Sequence, residues 1–212
     1  MSKICIFDLD GTLVDSMTSY ANANLRVLDE EGIACDADLI KIITPLGYTK
    51  TAEYFVRELG VRDTVESIYR RIEEKLVYEY SNLINAKAGV VTYLKQCREE
   101  GARMFVLTAS PHVTTDPCLK RNGIFDWFER VWSVEEFGLT KSDPRIFFKV
   151  AETIGCAPNE IHYFDDSLIA LKNAKKAGYI TYGVYDRQNH EEIAWMKQET
   201  DVFVASFCDL IE

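Results

Sequence analysis

The chain has 212 residues, 47% of them hydrophobic and 27% charged, enough apolar material for one sizeable core with a smaller appended unit and too much for a disordered chain. Lys and Arg number 24 against 34 Asp and Glu, a formal net charge of -10 that repels nucleic acid and anionic membrane, and no basic cluster overrides it. An anionic substrate must therefore be drawn by local groups, such as a metal ion or a placed lysine, and not by the field of the whole protein.

The first predicted element is the apolar run Lys3 to Leu9, which ends in acids and then Gly11. It is too short for a signal peptide or a membrane span and suits a buried strand followed by a turn. From 16 to 83 the pattern changes: there is no convincing strand, but several helical segments. Leu25 and Leu28 precede Gly32, and Val65, Ile68, Ile72 and Leu76 form a long stripe. This stretch reads as a helical insert, with 1–15 and 84–212 forming one discontinuous domain.

Strand and helix patterns then alternate. Val90, Leu94 and Cys97 share a helix face that Gly101 can close. Arg103–Leu107, Ile161–Phe164, Tyr179–Val184 and, more weakly, Val202–Ala205 read as strands. Asp143 is a suitable N-cap with Pro144 at the first helical position, ahead of the stripe Ile146, Phe147, Val150 and Ile154, which Gly155 ends. Ser167 can cap a helix bearing Leu168, Leu171 and Ala174 that stops at Gly178. This order implies an α/β fold, a Rossmann-like parallel sheet sandwiched by helices, with an inserted α-helical unit. The six cysteines lack the close pairs of a zinc or redox site, which points to a reducing cytoplasm.

In open parallel sheets, sites form at the carboxyl ends of the strands. The polar residues there are Asp8 and Asp10, Thr108, and Asp165 with Asp166. Asp8 and Asp10 are two apart and face one side of a strand, where they repel unless a cation or a shared proton intervenes. An oxygen-rich cluster without His or Cys favours Mg²⁺ over zinc. The bland alternative treats these acids as helix caps and solvated loop ends. His112, His162 and His190 show no metal-ligand spacing, and Ser110 and His112 lie near the rim without an assigned role.

Asp8-Leu9-Asp10-Gly11-Thr12-Leu13-Val14-Asp15-Ser16 resembles the first signature of the haloacid dehalogenase superfamily. Three further family motifs follow in order: Thr108 ending Met-Phe-Val-Leu-Thr, Lys141 in Lys-Ser-Asp-Pro-Arg-Ile-Phe, and Asp165-Asp166 in His-Tyr-Phe-Asp-Asp-Ser. Their spacing is similar to that of members carrying a helical cap after the first motif, here 16–83. The resemblance implies that Asp8 attacks phosphorus and that Asp10 protonates the leaving oxygen and later activates water. It also implies that Mg²⁺ sits on a carboxylate oxygen of Asp8, the backbone carbonyl of Asp10 and the side chain of Asp166. Thr108, the backbone N–H of Ala109 and Lys141 would hold the transferring oxygens. Asn commonly stands where this chain has Ala109. Some relatives carry another acid where it has Ala170, so metal binding would lean on the pair Asp165 and Asp166.

Dehalogenases and phosphonate hydrolases of the superfamily lack an acid at the position of Asp10, so the resemblance favours phosphate-ester chemistry. The expected function is hydrolysis of a small phosphorylated metabolite, with phosphoglycolate-phosphatase-like enzymes nearest in arrangement and a monomer as the default. The alternatives are a sugar-phosphate mutase of the β-phosphoglucomutase type, whose usual cap histidine is replaced by Tyr20, and a non-catalytic binding module on the same fold. Thr44-Pro45-Leu46-Gly47-Tyr48-Thr49-Lys50 resembles a cap loop that closes over substrate. Gly47 would permit close backbone approach and Lys50 would meet an anionic group, or the segment is a plain helix–helix turn.

Overall fold

A computed structural model describes residues 3–34, 39, 42–43 and 47–211. The chain divides into two compact units, Met1–Asp15 with Ile84–Glu212, and Ser16–Leu83.

The first unit is built on a parallel six-stranded sheet. Its strands are β1 (Ile4–Phe7), β2 (Arg103–Thr108), β3 (Arg130–Ser133), β4 (Ile161–Asp165), β5 (Ile180–Val184) and β6 (Val202–Val204), in the order β3-β2-β1-β4-β5-β6. This is the doubly wound Rossmann order, which reverses beside β1 and opens a crevice at the carboxyl ends of β1, β2 and β4. Alternate residues supply the two faces, as the pleat requires. Ile4, Ile6, Phe105, Leu107, Ile161 and Tyr163 belong to one buried cluster with Ile146, Phe147, Val150, Leu171 and Ala174. Residues of opposite parity form an aromatic layer: Phe7 stacks on Phe164 at 4.6 Å between ring centroids, and Phe164 stacks on Tyr182 at 4.2 Å. Both faces are therefore dry, which is why the strands read as near-continuous apolar runs.

The covering helices follow the patterns in the sequence, with local differences. Val90–Glu99 buries Val90, Tyr93, Leu94 and Cys97. Arg145–Ile154 buries Ile146, Phe147, Val150 and Ala151, and ends at Gly155 in the left-handed region. It starts one residue later than expected. Pro144 is the boundary residue, and the carboxylate of Asp143 still accepts from the Arg145 N–H at 3.0 Å. Leu168–Ala177 starts after Ser167, but the Ser167 side chain caps nothing. Asp165 Oδ1 accepts the N–H of Ser167 itself at 2.7 Å, which ties the start of the helix to the end of β4. The strand β3 was not apparent in the sequence. It is a four-residue edge strand that begins at an exposed arginine, and only Trp132 and Ser133 are buried.

The second unit contains α-helices Ser19–Glu30, Gly47–Arg57 and Val65–Asn82 among the described residues. Ile68, Ile72 and Leu76 form the buried stripe of the last, and Thr64 caps it by accepting from the Ser67 N–H at 3.1 Å. The first buries Ala23, Asn24, Val27 and Leu28, a face displaced from Leu25, which is half-buried. No helix of the described residues is long and apolar enough to cross a membrane.

Candidate active site

The register of the sheet places the acids. Ile4 to Phe7 pair with Ile161 to Phe164, and the Asp8 N–H donates to Phe164 O at 2.8 Å. One further step puts Asp8 level with Asp165, and by parity both continue the face that carries Ile6 and Tyr163. Asp166 lies just past the end of β4, where the chain has left the pleat. Its carboxylate thereby reaches the same spot as the other two, and oxygens of Asp8, Asp165 and Asp166 lie within 4.8 Å of one another. All three residues are buried.

Lys141 meets this cluster from the segment before the helix Arg145–Ile154. Its ammonium donates to Asp8 Oδ1 and, at 2.9 Å, to Asp165 Oδ2. Tyr163 also donates its hydroxyl to Asp165 Oδ2. With the Ser167 N–H on Oδ1, both oxygens of Asp165 are occupied by protein donors. Asn173 secures the lysine's backbone, donating to Lys141 O at 3.1 Å and Ser142 O at 2.9 Å.

Asp10 follows in the turn after β1, half-buried, with Oδ2 accepting from Ser110 Oγ at 2.6 Å. Thr108 ends β2 and is buried, and its Oγ1 accepts the Ser110 N–H at 3.0 Å. Ala109 is exposed beside it. Gly11 has φ of +74°, and a Cβ there would stand 2.5 Å from Asp166 Oδ2, so only glycine lets the turn lie against that carboxylate. Asp166 further accepts from Asn189 Nδ2, at 2.6 Å on Oδ2 and 3.0 Å on its backbone oxygen.

Three buried carboxylates lie together, and the one ammonium among them bonds two, Asp8 and Asp165. Burial pushes the Asp8 carboxyl well above the ordinary value; Lys141 opposes this, while Asp165, Asp166 and Asp10 add to it. Asp166 is pushed up to about 7 by burial and then by the Asp165 charge. Burial would lower the Lys141 pKa, but attraction to Asp165 and Asp8 outweighs it and holds the lysine above its usual value. A divalent cation suits this donor set: hard oxygens only, crowded, dry and short of positive charge.

The structure thus gathers Asp8, Asp165, Asp166 and Lys141, and sets Asp10, Thr108 and Ala109 at neighbouring strand ends. Sequence reasoning gave Ser110 no role, although it orders Asp10, and passed over Tyr163 and Asn189. Asn189 had a signal: it lies in the polar segment beyond β5, a strand end that the same rule covers. Tyr163 had none, since a tyrosine in a buried strand reads as core. His112 is turned to other partners, Asp116 and Glu136, each at 2.9 Å. Gly47 opens its helix in the second unit and Lys50 is exposed in the first turn, while Thr44, Pro45 and Leu46 lie outside the described residues. Tyr20 is also in that unit, its hydroxyl 2.8 Å from Thr51 Oγ1.

Comparison with known proteins agrees with this arrangement. The chain is 26% identical over 185 residues to the phosphorylated carbohydrates phosphatase of Thermotoga maritima, covering 87% of this chain and 86% of that one. It is 25% identical over 181 residues to the phosphoglycolate phosphatase of Thiobacillus denitrificans, covering 83% and 80%. A solved Thermotoga maritima protein described as a candidate β-phosphoglucomutase superposes with a TM-score of 0.84 at 25% identity, over 95% of this chain and 94% of that one. The family model for haloacid dehalogenase-like hydrolases matches residues 5–184, from within β1 to the end of β5, and the chain belongs to that family of enzymes.

Proposed function

We propose that this chain is a Mg²⁺-dependent phosphomonoester hydrolase that acts on a small phosphorylated metabolite through an aspartyl-phosphate on Asp8. The observation that carries the reading is the buried cluster of Asp8, Asp165 and Asp166 around Lys141, with a further acid, Asp10, oriented two residues from the nucleophile. The phosphatase relatives point the same way.

Asp8 is deeply buried, and Lys141 holds its Oδ1, which leaves Oδ2 to attack phosphorus in line. Asp10 lies on the more exposed side of the turn with Ser110 fixing one oxygen. From there it gives a proton to the leaving oxygen and afterwards takes one from the attacking water. Thr108 Oγ1 accepts from Ser110, so its own proton is directed elsewhere, toward a phosphoryl oxygen. The Ala109 N–H and the Lys141 ammonium complete the set of donors, each worth about 3 kcal/mol in comparable sites. Asp8, the Asp10 backbone carbonyl and Asp166 would hold Mg²⁺, which when bound neutralises charge that develops on the transferring group. Asp165, already engaged by three donors, holds Lys141 in place and adds charge to the cluster. Gly47 and Lys50 are assigned to substrate contact in the cap.

The measurement is release of phosphate from p-nitrophenyl phosphate with and without Mg²⁺. The unmodified protein turns over only with metal, and Asp8→Asn loses activity on the order of 10⁴-fold or more. Full activity in Asp8→Asn, with contaminating phosphatase excluded, removes Asp8 from this role. A mutase reading has one supporting observation, the likeness to the candidate β-phosphoglucomutase. NMR of hexose phosphates incubated with the protein separates the two, since a mutase moves phosphate between positions with little net release.

A further inference from the structure

The turn after β1 is fastened from behind by a lysine that belongs to none of the four motifs. Lys87 lies two residues before Gly89, ahead of the helix Val90–Glu99, and its backbone N–H donates to Leu13 O at 2.9 Å. Its ammonium donates to three oxygens: Gly11 O at 2.6 Å, Tyr185 O at 2.7 Å and Asp186 Oδ2 at 3.0 Å. Three protons meet three acceptors, so the donor capacity of the group is used in full. Asp186 is itself buried and the lysine side chain is only 20% exposed, which makes this a lasting tie and not a surface ion pair.

The two ends of that tie grip the same carboxylate. Gly11 is the residue whose α-carbon lies against Asp166 Oδ2. Asp186 opens the turn that carries Asn189: its Oδ1 accepts the Gln188 N–H at 2.9 Å and its backbone oxygen accepts the Asn189 N–H at 3.2 Å. Asn189 Nδ2 then donates to Asp166 Oδ2 at 2.6 Å. Asp166 thus sits between the turn after β1 and the turn after β5, and one ammonium sets the spacing of those turns. Outer groups that orient a metal ligand typically change metal affinity by about 10–100-fold when removed.

We propose that Lys87 is a positioning residue that, with Asp186 and Asn189, aims the Asp166 carboxylate and so sets the affinity of the site for a divalent cation. This rests on the reading of Asp166 as a metal ligand given above. Lys87 touches neither substrate nor ion; it acts through the two turns.

The test is calorimetric titration of Mg²⁺ into the metal-free full chain, compared among the unmodified protein, Lys87→Met, Asn189→Ala and the double variant. Each single variant is expected to raise the Kd for Mg²⁺ by about 10-fold or more. The double variant is expected to bind little worse than the weaker single one, because both act on one carboxylate. In phosphate-release assays kcat at saturating Mg²⁺ falls much less than the apparent metal affinity, a split that plain loss of stability does not produce. If Lys87→Met does not fold, Asn189→Ala and Asp186→Asn carry the comparison at the other end of the tie. Mg²⁺ binding by the unmodified protein and by folded variants with the same Kd overturns this inference alone. An unmodified protein that shows no saturable Mg²⁺ binding overturns the metal reading and the inference with it.

Discussion

Arg71 in the helical unit and Lys141 in the sheet unit each face several carboxylates, and Glu30 in the first group shifts in the opposite direction from Asp8 and Asp166 in the second. Arg71 pairs with Glu30 at 2.9 Å, Glu31 at 2.5 Å and Asp63 at 3.4 Å, and Lys75 adds a second cation on Glu30. These groups are partly solvated, and the bond from Lys75, followed by that from Arg71, holds Glu30 below its usual carboxyl range. Around Lys141 the acids are dry and outnumber the cation, and burial drives Asp8 and Asp166 upward. Water and a second cation make the first group a modest brace. Their absence makes the second a store of unfavourable charge, which the proposed metal and phosphate chemistry would draw on.

That contrast is broken most directly at Lys141. Lys141→Met leaves three buried carboxylates with no cation among them, and removing one partner from such a group costs about 3–5 kcal/mol. Thermal unfolding of the metal-free variant should show that loss, and phosphate release should fall by about 10²–10³-fold even with Mg²⁺ present. Asp8→Asn acts with the opposite sign on stability. It removes one of three like charges while Lys141 keeps Asp165, so the metal-free variant is expected to be about 1 kcal/mol more stable than the unmodified protein although it is inactive. A lower melting temperature for Asp8→Asn would mean that the cluster is held by its lysine and not strained by its acids.

In the helical unit the same kind of deletion should matter little. Arg71→Met breaks pairs that are partly exposed, so the expected loss is about 1 kcal/mol, shrinking in high salt. Phosphate release at saturating substrate is the control, and it should not change. A loss as large as that of Lys141→Met would show that solvation does not separate the two clusters.

The two clusters also differ in how far the sequence revealed them. Asp8, Asp10, Thr108, Asp165 and Asp166 stand at the ends of apolar runs, so the rule that places sites at strand termini finds them with no knowledge of contacts. Of the sheet's strands, β3 escaped because an edge strand of four residues needs little burial and carries little pattern. The helix stripes were legible because 3.6-residue periodicity is local. Lys87 and Tyr163 were not, since their roles depend on which groups meet after the sheet has formed; Asn189 lay beyond a strand end, where the same rule could have found it. The contact that does hold the start of the helix Leu168–Ala177, from the Ser167 N–H to Asp165, likewise depends on where β4 ends. Local chemistry nominates acids at a rim, and tertiary contacts decide which donors hold them.

His112, in the sheet unit, gives the smallest effect, and that effect depends on pH. Its Nδ1 meets Asp116 Oδ1 and its Nε2 meets Glu136 Oε1, both at 2.9 Å, and Arg130 stands 4.0 Å from Glu136 Oε2. The hydrogen bond to Asp116, then that to Glu136, raises the imidazole pKa above its ordinary value. A histidine whose pKa is higher folded than unfolded stabilises the fold fully below its unfolded pKa, and the contribution disappears as pH rises through the folded value. The ring is 45% exposed, so solvent screening limits the gain to about 0.5 kcal/mol. His112→Gln should therefore lower the melting temperature slightly at a pH of about 5.5, below the ordinary imidazole value, and the difference should shrink as pH rises. A difference that grows with pH would reverse the sign and show that the ring is held neutral, as a packing element, and not as a partner of two carboxylates.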